Sequence, residues 1–295
     1  MKTIFLKMRV ASAIGFGAIS IMGVLPTNSK NTIITLEEAL KRADINIQLK
    51  ANGNCSGNSV EMVITSQNHV KISIPSGYLF NPSSKDQQIL LAPLYAEHTV
   101  LPNKLNIIKL KGFCTQANNK CPIKDGKMSV TLSKDSNLIK LAAFLTTYKI
   151  DDESATQAAI WCVTNKHSIA SVHLDDTEKS LALKNLLHKI TNLPVPWNTA
   201  KQKVSIDPFG NISTVTTTIL GNISFFNPSQ TQVSHKVIDS AGNIKMAPSA
   251  PKTIPAGVTA KLKFELAVSG WKKGKYAVIY FTSEGKELLR QEFLI

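Results

Sequence analysis

The chain has 295 residues, of which 43% are hydrophobic and 18% charged, so it can bury two or three cores and is too apolar for a disordered protein. Its 34 basic and 20 acidic residues give a formal net charge of +14. Only Arg9, Arg42 and Arg290 are arginines, and the lysines are scattered along the chain. This pattern argues against a nucleic-acid reader and favours a solvated basic surface that attracts anionic partners such as polysaccharide.

The N-terminus has the pattern of a secretory signal peptide, which we assign to residues 1–30. Lys2, Lys7 and Arg9 precede an uncharged apolar run that Pro26 breaks. The run is too short to predict a stable membrane span once the signal is removed, although a retained N-terminal anchor is the alternative. The pattern predicts an exported protein, either secreted or held at the cell surface.

The four cysteines form an even set that fits an oxidising compartment: Cys55, Cys114, Cys121 and Cys162. The segment GFCTQANNKCP closes a short loop, so the pair predicted to form a disulfide is Cys114 with Cys121. A zinc site is the rival hypothesis, but the spacing matches no zinc motif and no histidine lies nearby in sequence.

Residues 31–128 predict an antiparallel β-sandwich domain, which begins with TLEEALKRA, a segment that predicts one or two helical turns. The segments are short, rich in valine and isoleucine, often alternating, and separated by turn residues. They are INIQLKANG, SVEMVITSQ, VKISIPSGYLF, QQILLAPL and LNIIKLKGF.

In residues 129–198 the spacing of apolar residues becomes that of a helix, which predicts a small helical unit. Helices are expected to begin at Asp135, at Asp151 or Asp152, and at Thr177. After each of these positions apolar residues recur every three or four positions, and acidic side chains are placed to cap the first turns. Alternation returns in residues 199–295, which predict a second, Ig-like sandwich. The expected fold class is mainly β, with two antiparallel β-sandwich (Ig-like) domains flanking a small α-helical unit.

The sequence predicts neither an enzyme nor a cofactor. It contains no nucleophile elbow, phosphate loop or dinucleotide fingerprint, and the adjacent acids at Asp151–Asp152 suit a helix dipole. The segment HSIASVHLDD could offer a metal four ligands, but a polar loop between helices is the favoured interpretation, so no metal is predicted. Those ligands would be His167, His173, Asp175 and Asp176.

Four aromatic residues could line a sugar-binding surface, although each also suits a sandwich core or edge, which is the favoured interpretation. They are Tyr78, Phe80, Trp197 and Trp271.

The stretch Thr156-Gln157-Ala158-Ala159-Ile160-Trp161 resembles the TQxA(I/V)W segment of bacterial surface thioester domains. In that family a glutamine side chain is joined to a cysteine sulfur, so the resemblance implies Gln157 as acyl donor and Cys114, which follows an aromatic residue, as its partner. Thr156, Ile160 and Trp161 would support the site. The alternative is plain core, with Gln157 and Trp161 on one helix face and the glutamine bonded to nearby backbone.

The segments VIDSAGNIK and SGWKKGKYAVIYFTSEGKELLRQEFLI resemble the Ig-like terminal domains of secreted Bacteroidota proteins. That resemblance implies either a sorting signal for type IX secretion or a structural module. Taken together, the sequence predicts a non-catalytic secreted or cell-surface protein that acts in binding or adhesion. The alternatives are a covalent thioester adhesin using Cys114 and Gln157, and an accessory carbohydrate-binding or envelope protein.

Overall fold

The N-terminal part of the described chain is a β-sandwich built from ten strands. The structure is a computed structural model that describes residues 33–295; the predicted signal peptide at 1–30 lies outside them. Ten strands and one short helix, α1, make up this part, and α1 begins with a capping box between Thr35 and Glu38. Their bounds are β1 Ile33–Thr35, α1 Leu36–Ala39, β2 Ile45–Ala51, β3 Val60–Ser66, β4 Val70–Ile74, β5 Tyr78–Pro82, β6 Leu90–Ala92, β7 Ala96–Val100, β8 Asn106–Leu110, β9 Phe113–Cys114 and β10 Lys127–Leu132.

Two sheets enclose the core of this sandwich. One has the order β1-β4-β7 and the other the order β8-β3-β2-β10-β5-β6-β9. The pairing is antiparallel with one exception, since β1 runs parallel to β4. The prediction of a mainly β fold with antiparallel sheets is confirmed.

Successive residues of the larger sheet point into different cores. Leu90 packs into the sandwich, whereas Leu91 packs against the helices. Phe113 and Cys114 divide in the same way, with Phe113 on the helical side and Cys114 on the sandwich side. This is the two-residue period of a strand, and it places the β6-β9 edge of the sheet between two apolar clusters.

Three helices cover the outer face of that edge: α2 Ser136–Thr147, α3 Glu153–Asn165 and α4 Thr177–Thr191. Each begins where the sequence predicts, because the side chains of Asp135, Asp152 and Asp176 accept hydrogen bonds from first-turn amides. A short 3-10 turn, Ile169–Ser171, joins the last two.

The C-terminal part is a second antiparallel sandwich. Its sheets are β11-β12-β16 and β14-β13-β17-β18, with β15 beside β13. Ile219, Val237 and Phe264 lie in the core between them. Its strands are β11 Asn198–Ile206, β12 Ile212–Asn227, β13 Thr231–Asp239, β14 Ile244–Met246, β15 Lys252–Ile254, β16 Val258–Ala267, β17 Lys275–Thr282 and β18 Glu287–Leu294.

The described chain belongs to one compact unit, so contacts between its parts are properties of the fold. No helix between residues 33 and 295 is long and apolar enough to cross a membrane.

The disulfide joins Cys55 to Cys121, with Cα atoms 5.3 Å apart, so the predicted pairing of Cys114 with Cys121 is wrong. The cause is the alternation along β9, which turns Cys114 into the interior, where its thiol is free. Cys55 and Cys121 instead meet across loops that are distant in sequence.

Candidate functional site

Gln157 and Cys114 lie in direct contact, 43 residues apart in sequence. The Cys114 backbone amide donates to Gln157 Oε1 at 3.0 Å, and Gln157 Nε2 donates to the Cys114 carbonyl oxygen at 2.8 Å. The carboxamide therefore bonds both backbone groups of one residue, as a neighbouring strand would. Both residues are buried, with exposed fractions of 6% for Gln157 and 0% for Cys114.

The local folding of β9 and α3 explains this contact. β9 is the last strand of its sheet and pairs with β6 on one side only. Helix α3 runs beside that open edge and presents Gln157 to it from its second turn. The Cys114 amide also donates to the Cys55 carbonyl oxygen at 3.1 Å, so its hydrogen is shared between two acceptors.

The Cys114 thiol is a buried, protonated group. Its sulfur lies 2.9 Å from the Cys55 carbonyl oxygen, to which it donates. Burial raises the pKa of this thiol well above its usual range, because the thiolate would lose its hydration. The second free cysteine, Cys162, is also buried, and its pKa is raised to about 12 by burial. It differs from Cys114 in having the Ser168 carbonyl oxygen, 3.5 Å away, as its hydrogen-bond acceptor.

The other motif residues divide between two cores. Ile160 belongs to the helical cluster and Trp161 to the cluster of the first sandwich, where it is 3% exposed. Thr156 is buried as well. The Trp161 indole packs near His167, with ring centroids 5.5 Å apart, and its Nε1 has no hydrogen-bond partner among the described residues.

A cavity of about 340 Å³ opens beside Gln157. Cys55 and Ser56 line it on the first sandwich and the start of α3 forms another side. The hairpin of β11 and β12 forms a third wall, and Ser171 and His173 also line the cavity. Its charged side chains are Asp152, Glu153 and Lys201.

The four residues considered as metal ligands do not converge. His173 Nε2 lies 3.7 Å from Asp175 Oδ1, whereas His167 packs on Trp161. Within residues 33–295 no three histidine, cysteine, aspartate or glutamate side chains group as a metal site. The aromatic residues do not form a common surface either, since Tyr78 and Phe80 lie in the first core while Trp197 packs against the second.

Sequence reasoning missed two parts of the site. Nothing in the local pattern marks Cys55 as the disulfide partner, and nothing indicates that the β11-β12 hairpin reaches the helix that carries Gln157. Both features arise from contacts between segments far apart in sequence.

The fold and the site together describe a two-sandwich protein in which a helical glutamine is bonded to a strand cysteine. No protein-family model matches the chain, and no curated protein is significantly similar to it.

Proposed function

We propose that this protein is a secreted or cell-surface adhesion protein whose Gln157 and Cys114 form an internal thioester that bonds covalently to an amine of its target. The observation that carries the proposal is the pair of hydrogen bonds between the Gln157 carboxamide and the Cys114 backbone. The free thiol belongs to the same residue, so the acyl carbon and the sulfur lie on two residues that are in direct contact.

Forming the thioester requires only these two side chains. The Cys114 sulfur bonds to the Gln157 amide carbon, the carbon–nitrogen bond breaks, and the thiol hydrogen leaves with the nitrogen as ammonia. Holding the two groups together makes the step intramolecular. The Cys114 amide, which already donates to Gln157 Oε1, stabilises the negative charge that develops on that oxygen.

Burial is compatible with the thioester, which carries no charge, as the protonated thiol carries none. A neutral acyl–sulfur bond places no charge in an interior that raises the pKa of Cys114. Trp161, which is buried in the same cluster as Cys114, limits the water that could hydrolyse the bond.

An incoming primary amine would attack the Gln157 carbonyl carbon from the cavity. A carbon–nitrogen bond forms, the carbon–sulfur bond breaks, and a proton passes from the amine to the Cys114 sulfur. The product is an amide with the target and a free thiol. Each molecule reacts once, which is why we class the protein as a covalent binder and not an enzyme.

The net charge of +14 supports an anionic environment for this attachment, such as acidic polysaccharide. We further propose that the C-terminal sandwich serves export or acts as a structural spacer, as its resemblance implies. A sugar-binding role receives less support, because Tyr78 and Phe80 are buried in the core.

The test is labelling with methylamine followed by alkylation of thiols under denaturing conditions. We expect one methylamide at Gln157 and one new alkylatable thiol at Cys114. The Cys114→Ala variant should take up no methylamine, whereas Cys162→Ala, which removes the other buried thiol, should react like the wild type. Equal uptake by the wild type and Cys114→Ala, or none by either, would refute the thioester.

A further inference from the structure

The hairpin of β11 and β12 extends beyond its sandwich. The pairing of the two strands shifts between Lys201 and Gln202, where a β-bulge lies. Strand β16 pairs with β12 only from Thr218 onward. Residues 202–216, here called the arm, are therefore a two-stranded projection, and the bulge marks its base.

Few contacts hold the arm against the first sandwich. The Cys121 amide donates to the Gly210 carbonyl oxygen at 2.9 Å, and Ile212 packs against the first core. Phe209 at the tip of the arm faces solvent and is 77% exposed, and Val204 and Ile206 are each about half exposed. A two-stranded hairpin is at best marginally stable by itself, so the position of the arm depends on these contacts.

The docked arm forms one wall of the cavity at Gln157. Val204, Ile206 and Ile212 line the cavity from the arm, facing Asp152 and Gln157 of the α3 region. Releasing the arm would remove this wall and open the helix face to solvent.

We propose that the arm is a flap that controls which nucleophiles reach Gln157, a role that rests on the proposed thioester. When docked, the arm limits entry of water and amines and protects the acyl–sulfur bond. When it swings about the bulge at Lys201 and Gln202, the cavity opens and an amine gains access. The rate of attachment then follows the fraction of molecules with an open arm.

The chain contains a matched control for the arm. The turn Asp207–Asn211 has the sequence DPFGN, and the turn between β13 and β14 has the sequence DSAGN. Each turn has the same hydrogen bonds, including one from the asparagine Nδ2 to the aspartate Oδ2. An isoleucine follows each turn, but Ile212 packs on the first core whereas Ile244 is 58% exposed.

The experiment compares Ile212→Ser with Ile244→Ser in the full chain. Methylamine uptake at Gln157 and hydrogen exchange at the Cys121 amide are both followed by mass spectrometry. We expect Ile212→Ser to speed both by roughly tenfold, because it removes apolar contact that docks the arm. Ile244→Ser should match the wild type in both.

A second variant replaces residues 204–214 by Asn-Gly, a two-residue turn that joins the paired Lys203 and Val215. It should speed methylamine uptake at least as much as Ile212→Ser. Faster exchange without faster uptake, in a wild type that does take up methylamine, would overturn the flap.

Failure of the thioester has a different signature, namely no methylamide in any variant. The flap is then judged by exchange alone. Faster hydrogen exchange of the Cys121 amide in Ile212→Ser, but not in Ile244→Ser, supports a movable arm. Equal exchange rates in the two variants overturn it.

Discussion

At the scale of single residues, Gln157 acts as the missing neighbour of an edge strand. An edge strand leaves backbone donors and acceptors without partners, and burying them unpaired is costly. The carboxamide offers one donor and one acceptor in a fixed plane, so it can bond the amide and the carbonyl of Cys114 together. The same contact joins the residue that carries the carboxamide to a residue that carries a free thiol.

Replacing Gln157 by leucine tests whether its hydrogen bonds to the backbone of Cys114 stabilise the fold, because leucine keeps apolar packing but cannot form them. The comparison is made in the Cys114→Ala background, which cannot form a thioester and keeps the Gln157 carboxamide. There the carbonyl oxygen of residue 114 would lose its donor in a buried site, and we expect a loss of about 2 kcal/mol in the free energy of unfolding. Chemical denaturation measures it. Gln157→Glu in the same background also lacks the amide donor and places an acceptor-only carboxylate beside that carbonyl oxygen, so it should be at least as destabilised. A leucine variant as stable as its Cys114→Ala parent would contradict the role of the hydrogen bonds.

The disulfide between Cys55 and Cys121 closes a loop with a sequence separation of 66. Loop-closure entropy predicts that its loss lowers the free energy of unfolding by about 4 kcal/mol. Cys55→Ser, Cys121→Ser and the double variant should be destabilised to a similar extent, because each breaks the same bond. A double variant with the summed loss of both single variants would argue against this pairing.

At the scale of elements, the helix that carries Gln157 depends on its first turn. The Asp152 side chain accepts a hydrogen bond from the Ala155 amide at 2.7 Å. Helix α3 would otherwise begin with unpaired amides beside the cavity. Its neighbour Asp151 has no such role and forms an ion pair with Lys111 at the surface.

Asp152→Ala should therefore lower the free energy of unfolding by about 1 kcal/mol. Asp151→Ala is the matched control and should lower it by less than about 1 kcal/mol, since exposed ion pairs contribute little. Thermal unfolding of both variants measures the difference. Equal losses would show that the cap does not hold the helix.

Helices and strands could be predicted from the sequence because their signals are local. Asp135, Asp152 and Thr177 mark the helix starts correctly, and alternation marks most strands. The short strands β1 and β9 escaped prediction because two or three residues carry no period. The contact of Cys114 with Gln157 was expected from a resemblance, whereas the Cys55–Cys121 bond and the arm depend on long-range packing that no local pattern records.

At the scale of the whole molecule, three partly buried histidines couple stability to pH. Burial lowers the pKa of His98, His167 and His235, and nearby lysines add to the effect at His167 and His235. The unfolded chain therefore binds protons more readily than the folded one. Their contribution to stability is complete above about pH 6.5 and is lost as the pH falls toward the folded pKa values.

We expect the free energy of unfolding to fall between about pH 7 and pH 5. His235 stacks on Tyr280 with ring centroids 5.1 Å apart, so His235→Phe should keep the packing and weaken the pH dependence. Tyr280→Phe, which keeps both His235 and the ring stacked on it, is the control and should leave the pH dependence unchanged. Urea denaturation at several pH values measures the free energy of unfolding. If its dependence on pH is the same in His235→Phe as in the wild type, His235 does not contribute to that dependence.

The most direct test of the thioester is the intact mass of the untreated protein, measured in denaturing acid. The proposed site predicts the mass of the chain with one disulfide, less one ammonia, and a single alkylatable thiol at Cys162. A mass with one disulfide and no further deficit, together with two alkylatable thiols at Cys114 and Cys162, would contradict it and leave Gln157 as a structural partner of an edge strand.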